Sequence, residues 1–371
     1  MGYTAKQYKK LKLLLVGGGH GHVYVLKQLQ KMSWPHVEVA LLSPSRFQYY
    51  SGMFAGFVEG LYSLEQIRID LAKLASRAGI KWVPGSAVKI DPHLQIVFTD
   101  QGETLDYDMV SFDIGSLTSG EEISGVAEYA EVIKPTHVLP QVLQRLATPN
   151  KIVVVGGGAS GIELSLAIHA RRRKDGQPAC VKLVSAGHLL HDYGGSVSEK
   201  TANIIRSKGV DLCLNCRVKT VEPHYLVTAS GNRIPFDAII WLAGPRAHSV
   251  FRESGLGVDE QGYLMVNPTL QAIDFPNIFG IGDCISIAGY PQLAKAGVYA
   301  VRESPILWHN ILSYTLEKTP RIYHPQVDFL SILSTGGQQA LLLYKGTAWH
   351  GKWVWRLKKQ IDTSFMRKYQ C

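Results

Sequence analysis

Cysteine is scarce in this chain and poorly placed for a disulfide framework. Among 371 residues there are five, Cys180, Cys213, Cys216, Cys284 and Cys371. An odd, scattered set of that kind belongs to a reducing compartment. Long apolar runs are also missing: none approaches the roughly 18 residues that span a bilayer. The charged opening runs without a small-residue cleavage site into Leu13–Val16 and then glycine, so it reads as the approach to a strand and not as a signal peptide. What is abundant is glycine, 36 residues, within a composition that is 46% apolar. That is the profile of a globular α/β chain, long enough for two or three domains. The net charge of +9 attracts phosphates, nucleic acid or anionic lipid without choosing among them.

The most informative segment is Leu11–Ser43. Leu13-Leu14-Leu15-Val16 is a continuous apolar run, as in a strand buried on both faces. Gly17-Gly18-Gly19-His20-Gly21 follows, then Val23, Leu26 and Leu29 at helical spacing, then a second apolar run over Val37–Leu42. Strand, glycine turn, helix and strand make a mononucleotide-binding unit. Gly17 permits the tight turn, Gly19 lets the backbone approach a pyrophosphate, and the helix N-terminus offers free N–H groups to the phosphates. His22 stands where the third glycine of G-x-G-x-x-G is usual, which predicts a helix slightly further from its strand. His20 and His22 have no third ligand at metal spacing and are read as lining the phosphate loop, with no metal expected.

The pattern recurs at Lys151–Val184. Ile152–Val155 is the strand, and Gly156-Gly157-Gly158-Ala159-Ser160-Gly161 carries the full three-glycine spacing. A helix over Ile162–Arg173 and a strand over Val181–Val184 complete the unit. One such turn closes many units that bind nothing; two, each between strand and helix, point to two dinucleotides. The position that usually holds a ribose-binding acid is Ser43 in the first unit and Ser185 in the second. Serine still hydrogen-bonds a ribose but does not repel a 2′-phosphate, so NADH and NADPH both remain open.

With these residues in view, the chain resembles flavoproteins of the type II NADH dehydrogenase and sulfide:quinone reductase superfamily, and in particular the flavoprotein domain fused to selenide, water dikinase. The likeness runs from about Leu13 to Arg367 and rests on LLLVGGGHGHVYVLKQL, YYSGMFAGFVEGLYSLEQIRIDLAKLASRAG, YDMVSFDIGS, FDAIIWLAGP, NIFGIGDC, QLAKAGVYAVRE and WVWRLKKQIDTSFMRKY. It implies an α/β fold with two Rossmann-like domains, an FAD domain (1–125 and 255–320) split by an NAD(P) domain (126–254), and a C-terminal α/β segment (321–371). SFDIGSLT and WLAGPRAH would be the crossovers, placing Asp113, Gly115 and Gly244 at the cofactors. Gly282-Asp283, with an apolar strand before and a helix after, matches the pair whose Asp accepts a hydrogen bond from the flavin ribityl chain.

The same resemblance implies an FAD-dependent enzyme that takes hydride from NAD(P)H and passes electrons to an acceptor such as a membrane quinone. Glu163 would lie near the nicotinamide and flavin rings, although an acid in a first helical turn is also favoured by the helix dipole. Lys295, at a helix start, would lie near the flavin pyrimidine edge. No cysteine occupies the redox positions of the disulfide- or sulfide-oxidising branches. Cys213 and Cys216 have C-x-x-C spacing but lie in a strand-like segment, where residues three apart face opposite sides and a local bridge is geometrically poor. The helix after Gly282-Asp283 carries Arg302-Glu303 where the dehydrogenases have a glutamine pair near the quinone. Two rival readings are a flavoprotein of selenium or sulfur metabolism and an FAD-binding sensor without turnover.

Trp349, Trp353, Leu357, Ile361 and Phe365 recur every four residues and form one drifting apolar stripe, with Lys352, Arg356, Lys358, Lys359, Arg367 and Lys368 around it. That composition suits a helix lying on a membrane surface, or one packed on its own domain or a second subunit. The expectation is a cytoplasmic protein, peripheral at the inner face of the cell membrane if the tail meets lipid. A homodimer is the other use of such a helix, and nucleic acid is not an expected partner. A chain cut at Lys352 should on this reading still fold and hold flavin.

Overall fold

The computed structural model describes residues 10–326 and 328–370; the charged opening and Cys371 lie outside them. Two five-stranded parallel sheets organise the chain. In the first, Leu11–Val16 is central between Val37–Ser43 and Met109–Phe112, with Lys81–Pro84 and Ile278–Gly280 at the edges. Leu13, Leu14, Leu15 and Val16 are buried, as a strand covered on both faces requires. Ile278–Gly280 joins from far downstream, parallel to Met109–Phe112, so this sheet is interrupted in sequence by the second one.

The second sheet runs Ala130–Glu131, Ala238–Trp241, Lys151–Val155, Cys180–Val184, Asp211–Cys213. The two crossover segments meet: Leu117–Thr118 pairs antiparallel with Pro245–Arg246, and the Trp241 indole donates to the Ser119 carbonyl at 2.7 Å. The helices after the glycine turns span His20–Leu29 and Ala159–Lys174. The latter ends on Arg171, Arg172, Arg173 and Lys174, cations at the negative end of its dipole. After Gly282-Asp283 come a single 3-10 turn, the short strand Ile285–Ile287 and then the long helix Gly297–Thr315, which packs on His20–Leu29. Lys295 lies just before the N-cap of that helix.

Two expectations fail. Cys213 and Cys216 are joined by a disulfide, with Cα atoms 5.9 Å apart. The strand ends at Cys213, and Asn215 turns left-handed with φ 56°, so the chain doubles back where continuous strand would have carried the thiols apart. The apolar stripe of the tail is also broken. Trp349 belongs to the strand Thr347–Gly351, and the helix runs Lys352–Tyr369. Its buried positions are Val354, Asp362, Met366 and Tyr369, while Trp353 and Ile361 face outward. Phe365 turns inward onto Tyr50, and Lys358 points inward too, so neither serves an outer face.

Candidate dinucleotide sites

Each glycine turn sits at the C-terminal end of a central strand, where ligands of parallel sheets bind. In the first, Gly17 has φ +93°, and a side chain there would strike the Asp113 carbonyl. Gly19 is constrained by protein as well as by any ligand: a Cβ on it would come within 2.0 Å of an Asp113 carboxylate oxygen. That carboxylate accepts from the His22 amide at 2.9 Å and so caps the first turn of the helix. Burial raises the Asp113 carboxyl to about 7, against the lowering effect of these amide bonds. His22 lies fully buried beneath the turn, with its ring between Gly17 O at 2.7 Å and Ser111 Oγ at 2.9 Å. Burial lowers its basicity to about 4, and it acts as a neutral strut. The close approach expected of a third glycine falls instead to Gly21, which rests on Ile281. Ser43 is buried and donates to the Ser45 carbonyl.

Gly282-Asp283 faces this turn. The Gly282 amide donates to Glu303 at 2.8 Å, and Glu303 is buried, which raises its carboxyl to about 7. Asp283 accepts from Ser116 at 3.4 Å and lies 3.9 Å from Lys134 Nζ, which itself donates to Ser116 at 2.6 Å. Lys295 donates to the Ile285 carbonyl and stands 3.9 Å from the Tyr263 ring centroid, its charge disfavoured by burial. Gly115 and Gly244 both have positive φ, and a Cβ on either would meet nothing within 4 Å.

The second turn is more open. Gly156 has φ +132°, and Gly161 packs against the Gly156 carbonyl. Gly158 is the helix N-cap, makes no side-chain cap, and has empty space where its Cβ would be. No acidic residue occupies the first turn that Ala159 and Ser160 begin, so the N–H groups and positive dipole end stay available to an anion. Ser185 is buried, with its hydroxyl against Gly157.

Glu163 lies one turn further along and is joined by the tail. It accepts from the Ser334 amide at 2.7 Å; burial raises its carboxyl while Lys358 lowers it. Lys358 pairs with Asp362 at 3.3 Å, donates to the Gly52 carbonyl, and has a side chain only 11% exposed. Tyr50 donates to Asp362 at 3.1 Å and stacks on Phe365 at 4.5 Å, and His20 is tilted against both rings. The C-terminal helix therefore brings His20 of the first turn and Glu163 of the second to the two sides of one aromatic and ionic cluster. Sequence reasoning missed Lys134, which carried no local signal. Tyr50 and Asp362 lay within quoted stretches without a role, and Lys358 was read only as one of the cations around the tail's apolar stripe. Among the described residues no cluster of His, Cys, Asp and Glu could hold a metal ion, and no helix is long and apolar enough to cross a membrane.

A model of the pyridine nucleotide-disulphide oxidoreductase family matches residues 11–304. A probable NADH dehydrogenase of Dictyostelium discoideum is 22% identical over 90% of this chain and 80% of its own. The fold is shared with the sulfide:quinone oxidoreductase of Aquifex aeolicus, with TM-score 0.80 at 21% identity over 97% of this chain and 91% of that one. It is shared as well with an NDH2 from Plasmodium falciparum in complex with NADH, with TM-score 0.78 at 15% identity over 97% and 99%.

Proposed function

Because this chain belongs to the pyridine nucleotide-disulphide oxidoreductase family, we propose that it carries FAD at the first glycine turn and takes hydride from NAD(P)H bound at the second. The observation that carries this reading is the second turn, with an uncapped helix N-terminus and no protein atom near the Cβ position of Gly158. That open space leaves the backbone of the turn accessible to a pyrophosphate. The first turn fits FAD on one condition: Asp113 already takes a helix amide, and a carboxyl that protonates near neutrality lets a diphosphate approach without a second full negative charge. On this reading residues 1–125 and 255–320 form the FAD domain, 126–254 the NAD(P) domain and 321–371 the closing segment.

The flavin supplies hydride acceptance, and the protein supplies position and electrostatics. Gly17, Gly19, His20 and Gly21 would present the first helix to the diphosphate, with His22 bracing the turn from below. Ser43 would lie toward the adenosine end, and Gly115 and Gly244 would leave room at the crossovers. Asp283, held by Ser116 and Lys134, would accept from the ribityl chain. Lys295 would place a cation beside the same loop. Gly156, Gly158, Ala159, Ser160 and Gly161 would bind the nicotinamide nucleotide diphosphate, with Ser185 toward its adenosine. Glu163, fixed by Ser334 and Lys358, would face the reacting rings, and the Tyr50–Phe365 stack would exclude water on the other side.

A membrane quinone is the acceptor that the sequence resemblance implies, and outward-facing Trp353 and Ile361, with exposed Lys352, Arg356, Lys359, Arg367 and Lys368, give the tail helix the chemistry to meet a bilayer. One observation favours a different acceptor. Arg302-Glu303 stand in the place of the glutamine pair, and Glu303 is buried and spends its carboxylate on the Gly282 amide. That suits a soluble acceptor, as the likeness to the selenide, water dikinase flavoprotein domain would imply. Assaying the NAD(P)H-reduced protein with a short-chain quinone and with soluble one-electron acceptors tests this. Quinone turnover that saturates at micromolar concentration supports the quinone, and quinone turnover no faster than air oxidation excludes it.

A further inference from the structure

The disulfide Cys213–Cys216 has no part in the hydride path, yet it is tied to the nucleotide turn. It closes the end of the outermost strand of the second sheet, and the crossovers to the first sheet lie at the opposite edge. Beside it, the Ser185 amide donates to the Cys213 carbonyl at 2.8 Å, and the Cys216 amide donates back to the Ser185 carbonyl at 2.8 Å. Ser185 in turn fills the space under the second glycine turn: a Cβ on Gly157 would fall 2.2 Å from its hydroxyl. Bridge, Ser185 and glycine turn are therefore in direct sequence, and the bridge holds the two clamps on Ser185 together. The loop turns at Asn215, whose φ of 56° is left-handed, and the bridge closes across that turn. Asn215 and Arg217 on either side of Cys216 are exposed, so the bridge can be reached from solvent.

We propose that Cys213–Cys216 is a thiol–disulfide exchange site, taking electrons from a dithiol and setting the affinity of the second glycine turn for its nucleotide. The inference rests on the reading of that turn as the NAD(P) site. In the exchange, a thiolate of the donor attacks one bridge sulfur to give a mixed disulfide, and the second donor thiol resolves it. The bridge S–S bond breaks, two S–H groups form on Cys213 and Cys216, and the donor dithiol becomes a disulfide; both electrons and both protons come from the donor. With the bridge open, the turn at Asn215 is no longer closed, the Cys216 amide leaves the Ser185 carbonyl, and Ser185 no longer fixes the floor of the turn.

The test uses full-length, flavin-loaded protein and ADP-ribose, a nucleotide probe without redox chemistry. Calorimetric Kd values are compared for protein as oxidised, after anaerobic dithiothreitol and desalting, and after reoxidation, with the state of Cys213 and Cys216 read by alkylation and mass spectrometry. The expected result is a Kd at least fivefold weaker on reduction, restored on reoxidation, with flavin absorbance unchanged. The double variant Cys213→Ser/Cys216→Ser should bind as the reduced form does and ignore dithiothreitol. Equal Kd values for verified oxidised and reduced protein overturn the switch and leave the nucleotide reading standing. A bridge that no oxidant forms overturns it as well. Absence of ADP-ribose binding in every state contradicts the nucleotide reading itself, and the switch falls with it.

Discussion

Tyr50 donates its phenolic hydrogen to Asp362 at 3.1 Å, joining a loop near the start of the chain to its last helix. The acceptor also pairs with Lys358, and burial disfavours the charge of the Asp362 carboxyl. Removing one partner of such a pair leaves a buried charge uncompensated, at a cost of roughly 3 kcal/mol. Asp362→Ala is therefore expected to lower the melting temperature and loosen flavin. For the same reason, a chain cut at Lys352 is expected to be unstable or colourless, contrary to the sequence-based expectation that the tail is dispensable. Thermal unfolding and flavin content of the two variants check this; a truncated chain that stays folded and yellow would show that the cluster is incidental.

Gly158→Val separates the two turns. Its Cβ position is empty, so the substitution should leave the fold and bound FAD in place while blocking the second diphosphate, with NAD(P)H half-saturation raised at least tenfold. Gly19→Val should differ in kind, because it collides with Asp113 and should cost stability and flavin together. Stability and reduction kinetics of the pair give the comparison. Loss of flavin from Gly158→Val with nicotinamide binding retained would reverse the assignment of the two turns.

The two glycine turns were legible in the sequence because they are local: a continuous apolar run, a turn that demands positive φ at Gly17 and Gly156, and a helix follow one another within a few residues. The resemblance singled out the two segments that pair as Leu117–Thr118 and Pro245–Arg246, and it set Lys295 at a helix start, where the structure has it just before the N-cap. The role of Asp113 against Gly19 was not, since nothing in the spacing shows which residue of a distant strand end faces the turn. The tail misled because its every-four spacing marks an apolar stripe, whereas packing chose the face carrying Asp362 and Met366. Cys213 and Cys216 misled because one left-handed residue, Asn215, ends the strand pattern.

The buried carboxyls predict a pH dependence of definite sign. Asp113 and Glu303 protonate near 7 in the folded chain and several units lower when exposed. The folded state without cofactor therefore holds more protons, and the stability these groups contribute is present at acid pH and lost as pH rises through about 7. FAD affinity should fall along with it, by at most about tenfold per pH unit for one linked proton. Asp113→Asn should flatten the affinity change between pH 6 and 8 while retaining FAD, as measured by flavin fluorescence. A wild-type affinity that rises with pH would contradict the proton assignment.

Membrane contact is best tested without disturbing the packed side of the tail helix. Trp353 and Ile361 face outward, and exposed basic residues lie beside them. Each such cation near an anionic surface contributes about 1 kcal/mol. The intact protein should co-sediment with anionic vesicles and release partly at high salt, and Trp353→Asp/Ile361→Asp should abolish binding while leaving flavin reduction unchanged. Equal sedimentation of the variant and the intact chain would remove the outer face from the account.

If one chain binds FAD and is reduced by a nicotinamide nucleotide at the second turn, its flavin must respond to that nucleotide in the absence of oxygen. Anaerobic mixing of the purified protein with NADH and with NADPH, followed at the flavin absorbance, tests it most directly. The expected result is a yellow protein that bleaches with at least one of the two nucleotides, with saturation in the nucleotide concentration, and more slowly by about tenfold or more in Glu163→Gln without loss of flavin. A protein that remains colourless when given FAD, or a yellow one that neither nucleotide bleaches, would contradict it.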